Sequence, residues 1–293
     1  MGRSPHGCPV LSARPLHAPA RPAHLPTGTA PSTPRAGRLR GWIESAALLS
    51  ALLALWWLCS HFEWVSRVFL PTPEATVASL LEGLNLRHAP NASPGELASF
   101  TASTLQRMVL GWLLASLAGV ALGALIGISS SARAWLQPTL EFIRPLPASA
   151  VIPLAISIFG LSPTMVLFVV AFGAMWPVLL ATVHGFASIE PRLREVAAAL
   201  QLGRLAFIRK IGLPSAMPDI LAGMRLSMTV SLIVSIVGEM IASQSGLGQA
   251  ILLAARSFHA SELFAGIVLL GLIGFASNAL LALAERKVLR WQL

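Results

Sequence analysis

Charge is scarce in this sequence. Of 293 residues only 11% are charged, 21 basic and 12 acidic, against about 25% in a soluble domain whose surface must face water. Cysteine is scarce too: Cys8 and Cys59 alone exclude a disulfide scaffold and a multi-cysteine metal site. Lys210 and Lys287 are the only lysines, and neither follows a glycine-rich run. A Walker A phosphate loop, which needs such a lysine, is therefore missing. No His-Glu-x-x-His zinc motif and no paired carboxylates occur within an apolar segment, and His184, the one intramembrane histidine candidate, falls near a segment end. An intramembrane protease or lipid transferase thus lacks its chemistry. No catalytic and no metal-ligating residue is expected.

Apolar residues make up 55% of the chain. A helical crossing needs roughly 20 of them, and six segments qualify: 42–60, 106–128, 146–160, 163–185, 220–242 and 263–284. The expected fold is an all-α integral membrane protein of about six transmembrane helices. Trp42, Trp56 and Trp57 flank the first segment, where amphipathic rings prefer the interface. The second carries Gly111, Ala115, Gly119, Gly123 and Gly127 at four-residue spacing, a small-residue face for close packing on another helix. Prolines 145, 147 and 153 break or kink the third. Between the first and second, Thr72-Pro73-Glu74 reads as the capped start of a short helix.

Residues 1–40 hold eight prolines, six arginines and no apolar run. This composition predicts a disordered cytoplasmic tail, or a stretch upstream of the true translation start, followed by a membrane domain over 41–293. Sixteen of the 21 basic residues fall in the termini and in the 129–144 and 188–219 loops, which a six-crossing topology places on one side. The positive-inside rule makes that side the cytoplasm, with both termini there. The net charge of +9 is then a topology marker, and nucleic acid is not an expected partner.

The segment 190–214, EPRLREVAAALQLGRLAFIRKIGLP, interrupts the apolar pattern. It reads as a helix–turn–helix outside the membrane, with Gly203 breaking the first helix and Pro214 ending the second. Its spacing resembles the cytoplasmic coupling (EAA) loop of permease subunits of binding-protein-dependent ABC importers: Glu-Ala-Ala, three residues, Gly, nine residues, Ile-x-Leu-Pro. Glu195 and Ala197 fit the first and third positions, and Ile211, Leu213 and Pro214 fit the end in register. Val196 replaces the first alanine, and Gln201 stands at the glycine, with Gly203 two residues later; a turn shifted by two residues is the expectation. From about residue 70 onward the chain is similar to the nitrate/taurine/alkanesulfonate branch. Where that branch often has Phe-Pro and Asn-Thr in the fourth crossing, this chain reads Trp176-Pro177 and Ala181-Thr182.

The resemblance implies a pore-forming subunit without its own nucleotide site or cofactor, working as a homodimer by alternating access in the bacterial inner membrane. ATP and Mg would be used by two copies of a separate ATPase subunit, and a periplasmic or lipid-anchored protein would deliver the solute. It implies that Glu195, Ala197, Ala198, Gln201, Gly203, Ile211, Leu213 and Pro214 form the ATPase-coupling element. In this reading Glu195 offers a carboxylate to the ATPase and Ala197 and Ala198 allow its close approach. The solute is expected to be an organosulfonate, taurine or nitrate-like anion, with a thiamine-precursor pyrimidine as the alternative. The segment SQSGLGQAILLAAR superficially resembles an ABC ATPase signature, but it follows the fifth crossing on the outer side and reads as a bend.

Candidate pathway or gate residues are Ser231, Ser235 and Glu239, on a polar band of the fifth crossing that begins at Ser227, together with Phe159, Met175 and Trp176. An ionisable group inside a membrane is costly and usually faces a cavity or partner, which singles out Glu239 for a gating or structural role, while the serines suit helix–helix contact. An ion-coupled secondary transporter is the rival of another class; it calls for repeat-related broken helices and coupling residues, of which only Glu239 is a candidate.

Overall fold

The computed structural model describes residues 35–84 and 95–289. The chain divides into two compact units, Met1–Leu52 and Leu53–Leu293. In the first, the described part is the beginning of α1 (Arg35–His61). The helix thus starts six residues inside the stretch read as tail. After Pro34 no proline interrupts RAGRLRGW, and Ala, Leu and Arg are good helix formers. The expectation of disorder for 1–34 lies outside the described residues, as does the side chain of Trp42.

The second unit is all helical among the described residues. α2 (Pro73–Gly83) is capped as expected: the Thr72 hydroxyl accepts from the Ala75 N–H at 3.2 Å, and proline occupies the first turn. The backbone N–H of Glu74 holds its carboxyl below the usual range, helped by the Trp57 indole N–H, which donates to it at 2.9 Å. Then follow α3 (Glu96–Ile128), α4 (Ser130–Ile143), α5 (Ala148–Phe159) and α6 (Pro163–Ala187). The chain continues with α7 (Pro191–Ala199), α8 (Arg204–Phe207), α9 (Leu213–Ala242), α10 (Leu247–Arg256) and α11 (Ala260–Val288).

Among the described residues, five helices are long and apolar enough to cross a membrane. The segment read as the third crossing is different: α5 has 12 residues, about 18 Å at 1.5 Å per residue, short of a hydrocarbon core of about 30 Å. It is joined to α4 across a 94° bend at the Pro145 and Pro147 pair. Packing settles what this bent pair does. Along α3, Gly111 meets Val170, Gly119 meets Val178, Gly123 meets Thr182 and Gly127 meets Phe186. Positions rise together on both helices, so α3 and α6 run parallel, and α4 with α5 must carry the chain back across. Six traverses result, one of them broken. The predicted small-residue face is therefore the seam between α3 and α6, the pair packed most extensively.

α9 lies antiparallel to α6: Gly238 meets Val166, Gly223 meets Ala181 and Gly185 meets Ala216. α11 lies antiparallel to α9, with Gly274 against Leu232 and Glu285 ion-paired to Arg225. The buried core is apolar and lies between these helices, one cluster around Val166, Val169 and Val170 and another around Phe186 and Ala216. The SQSGLGQ segment is the bend into α10, a short helix packed on α3, α9 and α11.

Candidate functional site

The loop between α6 and α9 is built around one C-terminal cap. Glu190-Pro191 opens α7 with proline in its first turn. At its end the Gln201 N–H donates to Ala198 O at 3.0 Å and the Leu202 N–H to Ala197 O at 3.0 Å, the paired bonds of a Schellman motif. That motif needs a left-handed residue at its turn, and Gln201 is it, with φ +49°. The two-residue shift expected from the sequence does not occur. The turn stays at Gln201, while Gly203 has an ordinary φ of −62° and open space where a Cβ would stand. A side-chain-bearing residue in this region costs roughly 1–2 kcal/mol. Gln201→Gly is accordingly expected to slow exchange of the Gln201 and Leu202 amides by about fivefold or more, whereas Gly203→Ala leaves them unchanged. Equal exchange in wild type and Gln201→Gly would remove the strain argument.

The second half of the loop also differs from expectation. No break occurs at Pro214. The chain is helical from Arg204 through Ala242, 39 residues in one span, with a π turn at Ile208–Gly212. Proline lacks an N–H and crowds the carbonyl four residues back; the wider π turn immediately before it absorbs the mismatch. The arm that leaves the turn is thus the same rod as the fifth crossing.

The named side chains divide by direction. Ile211 and Leu213 pack inward, on the cluster of Phe186, Ile189, Ala216 and Ile220. Ala197 is also turned inward, 6% exposed, so its small size serves α7's approach to its own chain. The expectation that it lets a partner come close is corrected on this point. Arg194 fastens α7 by donating to Phe186 O at 2.9 Å. Glu195, Ala198 and Gln201 face outward, and the Glu195 carboxylate has no hydrogen bond or ion pair among the described residues.

The six candidate pathway residues do not form one surface. Glu239 is fully buried near the end of α9. Its Oε2 accepts from Thr104 Oγ1 at 2.9 Å and from the Gly248 N–H at 3.0 Å, and its Oε1 accepts from Arg107 at 2.7 Å. Arg107 also donates to Ser245 O at 2.7 Å, and the Leu247 N–H donates to Thr104 Oγ1 at 2.9 Å. Any Cβ at Gly246 would overlap the carboxylate. Glu239 therefore pins α3, α9 and the entry to α10 together, and a gating carboxylate open to a path is not what this geometry provides. Ser231 and Ser235 are likewise fully buried: Ser231 bonds within its helix to Met228 O at 2.7 Å, and Ser235 Oγ has no partner among the described residues. The helix-bridging serine is Ser227, which donates to Ala174 O at 2.6 Å.

Of the six, Trp176 alone lines the groove between α5, α6 and α9, a cavity of about 540 Å³. Phe159 sits at the end of α5 against Phe168, ring centroids 5.2 Å apart, and Met175 is half-buried outside the groove lining. Thr104, Arg107 and Arg144 are the residues that sequence reasoning passed over. Arg107, at the edge of an apolar segment, carried the one usable signal, because such a charge ordinarily has a partner.

This architecture is an apolar helical bundle with a helix–turn–helix between α6 and α9. Solved structures share it. The inward-facing MetNI methionine ABC transporter (CY5 native crystal form) superposes with a TM-score of 0.59 at 20% identity, covering 66% of this chain and 95% of that one. An amino acid ABC transporter crystallised with histidines gives 0.53 at 22% identity, covering 66% and 94%. Residues 115–290 match the family of binding-protein-dependent transport system inner membrane components, and the chain belongs to that family. It is a multi-pass ABC importer permease. Among its relatives are the aliphatic sulfonates transport permease protein SsuC of Bacillus subtilis, 33% identical over 87% of this chain and 90% of that protein, and the taurine transport permease TauC of Escherichia coli, 28% identical over 84% and 89%. The nitrate import permease NrtB of Leptolyngbya laminosa is 33% identical over 64% and 67%.

Proposed function

We infer that this chain is the membrane subunit of an ATP-driven importer of a small anion, a sulfonate, taurine or nitrate-like solute, and that it works as a homodimer by alternating access. Two ATPase subunits dock on the two 188–219 loops and use ATP and Mg; this chain binds neither. A periplasmic or lipid-anchored binding protein delivers the solute from the outer face. Both termini and the loop face the cytoplasm of the bacterial inner membrane, as the distribution of arginine and lysine favours.

One observation carries the reading. The exposed Glu195 and the Gln201 turn stand on a loop whose second arm is continuous with α9. A helix transmits a displacement at its end along its whole length, so closure of the ATPases on this loop moves the groove-lining part of α9 directly. Glu195→Ala tests it. Membrane insertion and complex assembly are expected to be retained, while ATP-driven uptake in proteoliposomes falls at least tenfold and basal ATP hydrolysis continues, as for loss of a charge-assisted contact of about 1.5–3 kcal/mol. Unchanged coupled uptake would sink the role given to Glu195.

A further inference from the structure

A cavity of about 260 Å³ lies between α3, α9 and α11. Its α9 wall carries Arg225 and, one turn on, Thr229; its α11 wall carries Ser277 and Asn278, and Met108 of α3 lines it as well. The antiparallel register sets Gly274 against Leu232 and Glu285 against Arg225. Asn278 therefore stands level with Thr229, and Arg225 lies one turn, about 6 Å, nearer the C-terminal end of α11. That helix has 29 residues, about 43 Å against a hydrocarbon core of about 30 Å. Its last turn emerges, with Glu285 and Arg225 at the edge of the core, while Asn278, about 10 Å further in, lies within it.

Thr229 and Asn278 are exposed and Ser277 is half-buried. None of these three side chains has a hydrogen bond among the described residues. Polar side chains in a membrane helix ordinarily bond across to another helix, and the hydrocarbon offers no water in its place. All three can donate. At the edge above them the Arg225 guanidinium is paired with Glu285 yet 39% exposed. Arg286 and Lys287 follow in the same turn of α11, both exposed and without an ion pair among the described residues. Three cations thus stand against one carboxylate at this level. The adjoining surface is apolar: Phe275, in the rim of the cavity, is 75% exposed, and Leu272 is exposed beside it.

We propose that this cavity seats an anionic phospholipid from the leaflet at the C-terminal end of α11. The phosphate lies at Arg225, with Arg286 and Lys287 around it, as basic pockets between membrane helices hold anionic head groups. The ester carbonyls, which sit deeper in a bilayer than the phosphate, accept from Asn278 and Thr229 one turn further in. The acyl chains run along Phe275 and Leu272. A free anion would engage the cations and leave the donors inside the core unpaired, and a purely apolar guest would engage neither. The inference goes beyond the transport reading and holds for any solute.

The full chain, carrying ¹⁵N-labelled asparagine, is placed in phosphatidylcholine nanodiscs with a rising fraction of phosphatidylglycerol. One side-chain amide resonance, the one lost in Asn278→Leu, is expected to shift saturably, and inorganic phosphate should leave it in place. Phosphatidylglycerol binding to the chain is then titrated by native mass spectrometry. Thr229→Val with Asn278→Leu should weaken it by at least about fivefold, as for two lost hydrogen bonds. Arg286→Gln with Lys287→Gln should weaken it by about tenfold or more, as for two cations removed from a membrane surface. The wild-type titration decides by itself: an amide that ignores phosphatidylglycerol, or responds equally to inorganic phosphate, overturns the site. A shift that follows the number of chains per disc, and not the lipid, assigns the face to a second copy and overturns it too. So does undiminished phosphatidylglycerol binding in either folded paired variant.

Discussion

Replacing Glu239 with alanine is expected to destabilise the bundle by about 3–5 kcal/mol, the cost of leaving a buried ionic partner unpaired. The substitution removes the acceptor of three donors at once: the Thr104 hydroxyl, the Gly248 N–H and the Arg107 guanidinium, which is only 12% exposed and is left with Ser245 O alone. The Thr104 hydroxyl and the Gly248 N–H are buried, and a buried donor without an acceptor is costly. Because a folded domain is stable by about 5–15 kcal/mol in total, much of the chain should fail to accumulate folded. The paired variant Arg107→Met with Glu239→Met removes both charges and should recover more than half of the loss, since a buried ion pair is often replaceable by packed apolar groups. Reversible unfolding in mixed micelles measures both. A loss below about 1 kcal/mol for Glu239→Ala would show that the pin is not structural. Transport per folded molecule should change little in the double variant, which separates a pin from a gate.

Gly123→Leu is expected to be comparably damaging for a different reason. A Cβ at Gly123 would lie 2.8 Å from the carbonyl oxygen of Leu179, a backbone atom held within α6. Helical backbone cannot yield locally, so α3 and α6 must separate along the seam that organises the bundle, at a cost of about 3 kcal/mol or more. Gly271→Leu on α11, where nothing lies within 4 Å of the added atom, is the control and should be near neutral. Thermal inactivation of both variants in native membranes makes the comparison. Equal midpoints would mean that the seam tolerates separation.

The legible part of this protein follows from membrane physics. Apolar length marks the crossings, since a chain in lipid must satisfy its backbone within a helix, and the four-residue stripe on α3 identified a packing face before its partner was known. The helix–turn–helix between α6 and α9 was legible because its spacing is local, from Glu195 to Pro214. Local spacing did not give direction. Ala197 turned inward and Glu195 outward although they stand two residues apart, because Arg194 and the Phe186 cluster fix the roll of α7. The Gln201 turn kept its place because the paired cap bonds specify a left-handed residue at that step, whatever side chain occupies it.

In the candidate pathway Glu239 is the instructive case, since the sequence leaves a gating and a structural role both open. An intramembrane carboxylate has the same appearance in sequence whether it lines a path or pins a loop. The distinction lies with Thr104 and Arg107, 135 and 132 positions away, and nothing in the local pattern names them. The same holds for Trp176 and Arg144, which line one groove from different helices.

The sequence by itself determined that the chain is a helical membrane protein, that its basic residues concentrate in the termini and two loops, and that one polar interruption sets it apart. Solvation dictates those properties residue by residue. Tertiary structure alone decided which helices run side by side and which of the few charges neutralise one another. Those depend on close approach between segments far apart in the chain, and local sequence periodicity carries no information about such distances.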